Sequence, residues 1–180
     1  MKRANNKTDS REDGSSEAYR SVISTKDGEF AAGYSSKGLC RLEFPGAKAP
    51  PSGVENLPAQ IRSWDELTRA ALQRALDGKP PGKLPPLDLS AGTDFQQAVW
   101  RALCRIDTGK TLTYGQVAIA IERPKALRAV GGACGRNPIP VFVPCHRVLA
   151  AHEQPGGFSG GLDWKLKLLG REGSWPRPQP

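Results

Sequence analysis

Four prolines (Pro80, Pro81, Pro85 and Pro86) and three glycines crowd into the fifteen residues from Gly78 to Gly92. Proline donates no backbone hydrogen bond and locks φ, so neither a helix nor an interior sheet strand runs through such a stretch. A chain of 180 residues is therefore divided there, and the segment reads as an interdomain linker between two small units. The expected division is a polar, disordered tail over 1–16, an N-terminal domain over 17–90, a second domain over 91–174 and a Pro-rich tail over 175–180.

Upstream of the division, three β-like runs cover Tyr19–Thr25, Glu29–Ser35 and Leu39–Phe44, with Asp27-Gly28 and Lys37-Gly38 at the turns. That pattern predicts an antiparallel meander. Ser63-Trp64-Asp65-Glu66 has the spacing of a capping box, and Leu67, Ala71, Leu72, Ala75 and Leu76 continue an apolar helical face to Asp77. No residue of this unit carries an evident chemistry.

Downstream, Thr93-Asp94-Phe95-Gln96 opens a helix with Phe95, Val99, Ala102, Leu103 and Ile106 on one face and Cys104 in its middle. Thr113-Tyr114-Gly115-Gln116 opens another. Pro124 suits the first position of a third helix, Lys125 to Gly135, so the last two make a helix-turn-helix pattern. The last helix is small-sided, with Gly131 and Gly132 inside it. Each interior glycine costs about 1 kcal/mol against alanine, which fits a backbone that something approaches closely. A packed neighbour and a DNA groove both meet that description; in the second case Arg128 is the long side chain that projects.

Val141-Phe142-Val143 predicts an apolar strand that Pro144 ends, leaving Cys145, His146 and Arg147 at its edge. A neighbouring imidazole and guanidinium favour the reactive thiolate, although an inert buried cysteine fits the same residues. The net charge is +8, and the stretch from Arg123 to Arg147 holds five cations (Arg123, Lys125, Arg128, Arg136, Arg147) and no carboxylate. Nucleic acid is the partner such an excess suggests. The four cysteines are widely spaced without a CxxC, which argues against a closed zinc site and a disulfide framework. The N-terminal residues hold no apolar segment, so the expected location is cytoplasmic, or nuclear in a eukaryote, without a membrane.

Pro144-Cys145-His146-Arg147-Val148 resembles the signature of the O6-alkylguanine-DNA alkyltransferase family. Phe95-Gln96, Val99-Trp100, Thr113-Tyr114-Gly115, Arg123-Pro124-Lys125-Ala126, Arg128-Ala129-Val130-Gly131, Arg136-Asn137-Pro138 and Phe158-Ser159-Gly160-Gly161-Leu162 follow the family's order. The resemblance covers about Gly92 to Gly173 and implies an α/β chain. A small N-terminal antiparallel sheet plus helix domain, ribonuclease H-like, would precede a helical, winged helix-turn-helix-like C-terminal domain. It implies direct reversal of DNA damage, with the alkyl group of O6-alkylguanine moving once from a flipped-out base to Cys145, and leaves O4-alkylthymine open as a second substrate. By the same resemblance His146 is the base, acting through a water and oriented by Glu172, and Asn137 ties the recognition helix to the active-site turn. Tyr114 crowds the backbone phosphate and donates a proton to the guanine, and Arg128 fills the space the base leaves. Gly115, Arg123, Lys125, Ala129, Gly131 and Arg136 complete the DNA contacts, and Ser159, Val148, Pro140, Phe158 and Gly160 form the base pocket. The implied partner is the minor groove of double-stranded DNA, bound by a monomer without cofactor or metal.

Leu127 stands where the family usually has a small residue, Phe158 where a tyrosine is common, and Gly170-Arg171 replace the usual neighbours of Glu172. No histidine precedes Leu89, so the N-terminal zinc site of some animal members is absent. Rival readings are a non-catalytic alkyltransferase-like lesion binder, a cysteine hydrolase and a transcription factor. The first lacks the nucleophile present here, adjacent residues on a strand point apart, and a small-faced helix reads few base edges.

Overall fold

The computed structural model describes residues 17–46 and 57–175, so the expected tail over 1–16 and all but Trp175 of that over 175–180 lie outside it. Strands β1 (Tyr19–Thr25), β2 (Gly28–Ser35) and β3 (Gly38–Glu43) form the expected meander, in register from Tyr19↔Tyr34 to Thr25↔Gly28 and closing at Ser35↔Gly38. Helix α1 (Ala59–Leu76) lies against it and buries Ile61, Asp65, Thr68, Ala71, Leu72, Ala75 and Leu76.

Helix α1 begins at Ala59, four residues before the predicted capping box, with Pro58 as its N-cap, and the box lies inside it. The reason is tertiary. Asp65 is drawn into the sheet, where it accepts hydrogen bonds from Ser21 and from Tyr34 at 3.0 Å. Its other oxygen takes Arg69 at 2.6 Å. These bonds lock the middle of the helix onto the sheet, so Ser63 and Glu66 lie inside a continuous helix and not at its end.

The Pro-rich segment is laid along β3. Leu39 N–H donates to Pro86 O at 2.9 Å and Asp88 N–H to Leu39 O at 2.8 Å. Gly38 lets the segment approach, because a Cβ there would sit 2.1 Å from Pro86 O at φ +150. The donor that proline lacks is thus not missed: Pro86 only accepts, and the donor falls on Asp88 two residues on.

Beyond it, α2 (Asp94–Leu103) and α3 (Tyr114–Ala120) begin at the predicted capping boxes, both of them reciprocal. Cys104 is not mid-helix; it caps α2 and is exposed. Helix α4 (Leu127–Gly135) starts two residues later than expected. A turn closed by Ala126 N–H on Arg123 O at 2.8 Å holds Pro124 and Lys125 outside it. A two-residue strand β4 (Leu112–Thr113) pairs in parallel with β5 (Val148–Leu149), which sets the start of α3 beside the residues that follow Cys145. Helix α5 (Leu162–Arg171) completes an α/β fold with a small antiparallel sheet and five α-helices among the described residues.

One hydrophobic core runs through both halves, from Phe30, Leu39 and Leu72 to Val99, Leu103, Val143 and Leu168. Phe44 carries it to the loop before α5, with its ring 4.8 Å from Trp164 and 5.7 Å from Phe158. Leu42 N–H donates to Pro138 O at 2.9 Å, a further tie between the halves.

Candidate active site

The apolar run before Cys145 is not the strand its composition predicts. Val143 N–H closes on Ile139 O at 2.9 Å and Cys145 N–H on Val143 O at 2.8 Å. The second bond places Pro144, at φ -80 and ψ 63, at the centre of an inverse γ-turn. Cys145–Arg147 then forms one turn of 3-10 helix. Val141, Phe142 and Val143 are apolar because they are buried; Pro140 and Pro144 could give a sheet no donors. Val141 has φ 76, a strained conformation for a β-branched residue, at the approach to the cysteine.

Asn137, at the end of α4, holds this turn. Its Oδ1 accepts from Ile139 N–H at 3.0 Å, which fixes the amide orientation. Its Nδ2 then donates to Val143 O at 2.7 Å and to Cys145 Sγ at 3.0 Å. Burial pushes the Cys145 thiol up to about 11, against the opposing pull of Asn137 and the nearby Lys165 charge. In the resting protein the group is therefore a thiol, and the adjacent cations do not by themselves make it a thiolate.

His146 and Arg147 converge on Glu172, which follows α5 as its C-cap. Nε2 of His146 lies 2.9 Å from Glu172 Oε1. Arg147 Nε donates to both carboxylate oxygens, at 3.2 and 3.0 Å, and its Nη2 to Oε1 at 2.9 Å. Burial works against the Glu172 charge, but the hydrogen bonds from His146 and Arg147 prevail and hold its pKa at about 2. An ionised carboxylate only accepts, so Nε2 carries the hydrogen and Nδ1 presents its lone pair. That Nδ1 is buried with no hydrogen-bond partner among the described residues. Burial holds the imidazole below its ordinary pKa despite Glu172, so it rests neutral with a lone pair free on Nδ1.

Arg147, counted above among the DNA-directed cations, is buried and also donates to Ile106 O and to Thr108. Its removal from the surface leaves Arg123, Lys125, Arg128 and Arg136, all exposed, none of them ion-paired among the described residues. Ala129 is exposed and Gly115 and Gly131 half-buried on the same helix pair. A Cβ at Gly131 or Gly132 would meet nothing closer than 3.9 or 3.5 Å, so packing within the protein does not demand glycine at either position. Leu127, at 48 % exposure, turns outward.

Cys145 lines a cavity of about 270 Å³ with Tyr114, Gly131, Cys134, Gly135, Gly157, Phe158 and Ser159. The volume suits a single base with a small substituent better than a drug-sized ligand. Tyr114 and Gly131 also wall an open groove with Thr113, Gly115, Leu127, Arg128, Ala150 and Ala151, so the cavity and the cationic helix surface share a partition. Pro140 and Gly160 line a neighbouring groove, which Ser159 joins to the cavity. Val148 is fully buried, with its carbonyl taken by Lys165 Nζ at 2.6 Å. Lys165 was missed by sequence reasoning. The signal for it was its place with Leu168, Leu169 and Glu172 at helical spacing on the inner face of α5, where a lysine is unexpected.

A buried cysteine lining a base-sized cavity, beside an exposed cationic helix pair, points to the class of DNA-directed proteins. The family model described as the DNA-binding domain of 6-O-methylguanine DNA methyltransferase matches residues 94–174. A methylated-DNA–protein-cysteine methyltransferase of Methanosarcina barkeri is 40% identical over 84% of this chain and 94% of the relative. The inducible one of Bacillus subtilis is 37% identical, over 86% and 89%. The crystal structure of Mycobacterium tuberculosis OGT in complex with DNA superposes with a TM-score of 0.73 at 34% identity, covering 86% of this chain and 92% of that one. The chain belongs to the methylated-DNA–protein-cysteine methyltransferase family.

Proposed function

We propose that Cys145 accepts the alkyl group from O6-alkylguanine, with His146 and Glu172 removing the thiol proton and Tyr114 assisting the departing guanine. As a member of its family the protein repairs DNA by direct reversal, so the transfer ends on the protein itself. The observation that carries the residue assignment is the continuous line from Glu172 Oε1 to His146 Nε2 at 2.9 Å, beside a cysteine that Asn137 holds at 3.0 Å.

The steps follow from the groups. A thiol pushed up to about 11 is a poor nucleophile at neutral pH, so attack requires a base. Nδ1 of His146 takes the Cys145 proton through a bridging water, and Glu172 stabilises the imidazolium that forms. The buried Lys165 charge favours the thiolate further. Sγ then attacks the alkyl carbon, a C–S bond forms, the carbon–O6 bond breaks, and the electron pair leaves on the guanine oxygen. The Tyr114 hydroxyl donates a proton to the ring and neutralises that charge. The product is a thioether, which no residue of the cavity can cleave, so each molecule acts once.

The base must leave the duplex to reach the cavity. Arg128 stands across the Tyr114–Gly131 partition from Cys145, where it can occupy the place the base vacates. The open face at Gly131 and Gly132 supports close approach to a minor groove, α3 and α4 acting as a helix-turn-helix of the winged kind. In this reading the sheet unit over 17–90, ribonuclease H-like in plan, supports the second domain over 91–174, and the protein acts as a monomer in the soluble compartment of the cell. No helix among the described residues is long and apolar enough to cross a membrane.

The test is mass spectrometry of the intact protein and its peptides after incubation with an O6-methylguanine duplex. One methyl per molecule, on the peptide that contains Cys145, is expected; a methyl elsewhere, or none despite tight binding, removes Cys145 from the role. Duplex affinity is also expected to fall steeply with salt. Three phosphate contacts by Arg123, Lys125 and Arg136 correspond to a log–log slope of about -2.7. A flat profile in a binding titration would show that these cations do not face phosphate.

A further inference from the structure

Arg171, the residue before Glu172, is gripped by the N-terminal half. Its guanidinium donates to both carboxylate oxygens of Asp27, in the β1–β2 turn, at 2.6 and 2.9 Å. It also donates to Leu76 O, at the end of α1, at 2.9 Å. Lys167, one turn earlier on α5, reaches the same carboxylate at 2.8 Å. The Asp27 side chain is only 6% exposed, and the two cations hold its carboxyl well below the usual range. From the other side Gly78, at φ +74, lies against the Arg171 backbone, where a Cβ would come within 1.9 Å of the carbonyl oxygen. Lys26 pairs with Asp77 at 2.5 Å along the same seam, but both are exposed enough for that pair to contribute little.

This clamp falls at the point where α5 ends. Glu172 is the C-cap, followed by Gly173 at φ +70, and helix ends fray unless something outside the helix holds them. Yet the Glu172 carboxylate has to keep its place against His146, Arg147 and the Gly109 N–H. A simple tether between halves could sit anywhere on the seam. This one holds the adjacent residue by its side chain, with Gly78 packed against its carbonyl.

We infer that the Asp27–Arg171 clasp sets the position of Glu172 and through it the orientation of His146, which makes Asp27 a positioning residue for alkyl transfer. The inference rests on the proposed relay through His146 and Glu172. The sheet domain then takes part in the reaction by holding the base in line.

Asp27→Asn keeps the shape of the side chain and removes its charge. The readout is the rate of reaction with free O6-benzylguanine as a function of pH, beside binding to an O6-methylguanine duplex. A loss of about tenfold near neutral pH is expected, because misplacing a catalytic group by even an ångström is costly. The deficit should shrink at alkaline pH, where hydroxide replaces the base, and duplex binding should stay unchanged. Glu172→Gln should show the same pH signature, and the double variant should be no slower than Glu172→Gln alone. Should Asp27→Asn fail to fold, Arg171→Lys keeps the charge, loses the fork, and should reproduce the signature. A parental rate in Asp27→Asn beside a slow Glu172→Gln would overturn the clasp and leave the relay standing. A pH-independent loss, or additive losses in the double variant, would also overturn it, as marks of a mere strut. A parental rate in Glu172→Gln would overturn the relay, and the clasp with it.

Discussion

Cys145→Ser is expected to abolish transfer from an O6-methylguanine duplex while leaving duplex binding close to the parental value. Serine is nearly isosteric with cysteine, so the turn at Pro144 and the Asn137 hydrogen bond can persist. What changes is the nucleophile. An alcohol is far less acidic than a thiol, and its oxygen is a hard donor for displacement at saturated carbon. A loss of roughly four orders of magnitude, about 5.5 kcal/mol in the barrier, is a conservative expectation. Quenched-flow transfer of labelled methyl, run beside a gel-shift titration, separates the two quantities. Appreciable methylation of the serine variant would assign the acceptor role to another residue, with Cys134, the second thiol in the cavity wall, the first to examine.

Arg128→Ala is expected to slow repair in duplex DNA by about a hundredfold while changing the reaction with free O6-benzylguanine by less than about threefold. The difference isolates the extrusion of the base, since unstacking and unpairing cost a few kcal/mol that the free base never meets. Arg128 is exposed at the start of α4 and lines the groove that shares Tyr114 and Gly131 with the Cys145 cavity. It does not line the Cys145 cavity, where a small free substrate would react. Single-turnover rates on both substrates decide the matter. Equal losses would mean that Arg128 supports the cavity itself and not the vacated position in the duplex.

Much of this architecture was legible from local chemistry. The two reciprocal caps at Thr93 and Thr113 were readable because a capping box satisfies its own donors within four residues and needs no distant partner. The meander was readable because glycines at its turns and the short β-like runs between them act over similarly short range. Ser63-x-x-Glu66 has the same spacing and failed as a cap, because the helix runs back to Pro58 and is held onto the sheet through Asp65, which leaves both box residues in its interior. Val141 to Val143 failed as a strand for a related reason. Burial selects the same residues as a sheet does, and only Asn137 and Ile139, reaching across the turn, reveal which backbone bonds are made.

The candidate site divides along the same line. By itself the sequence determined that a cysteine, a histidine and an arginine stand together after a proline, that a small-sided helix precedes them, and that cations gather there without acids. Those are properties of neighbours along the chain, so they survive any folding. Only the tertiary structure decided what the neighbours do. Arg147 turned from the surface to Glu172, Lys165 entered the core to meet Val148, and burial kept Cys145 a thiol in need of a base. Each outcome depends on groups tens of residues apart meeting in a low dielectric, where an unpaired charge is too costly to persist and desolvation outweighs the inductive pull of adjacent residues.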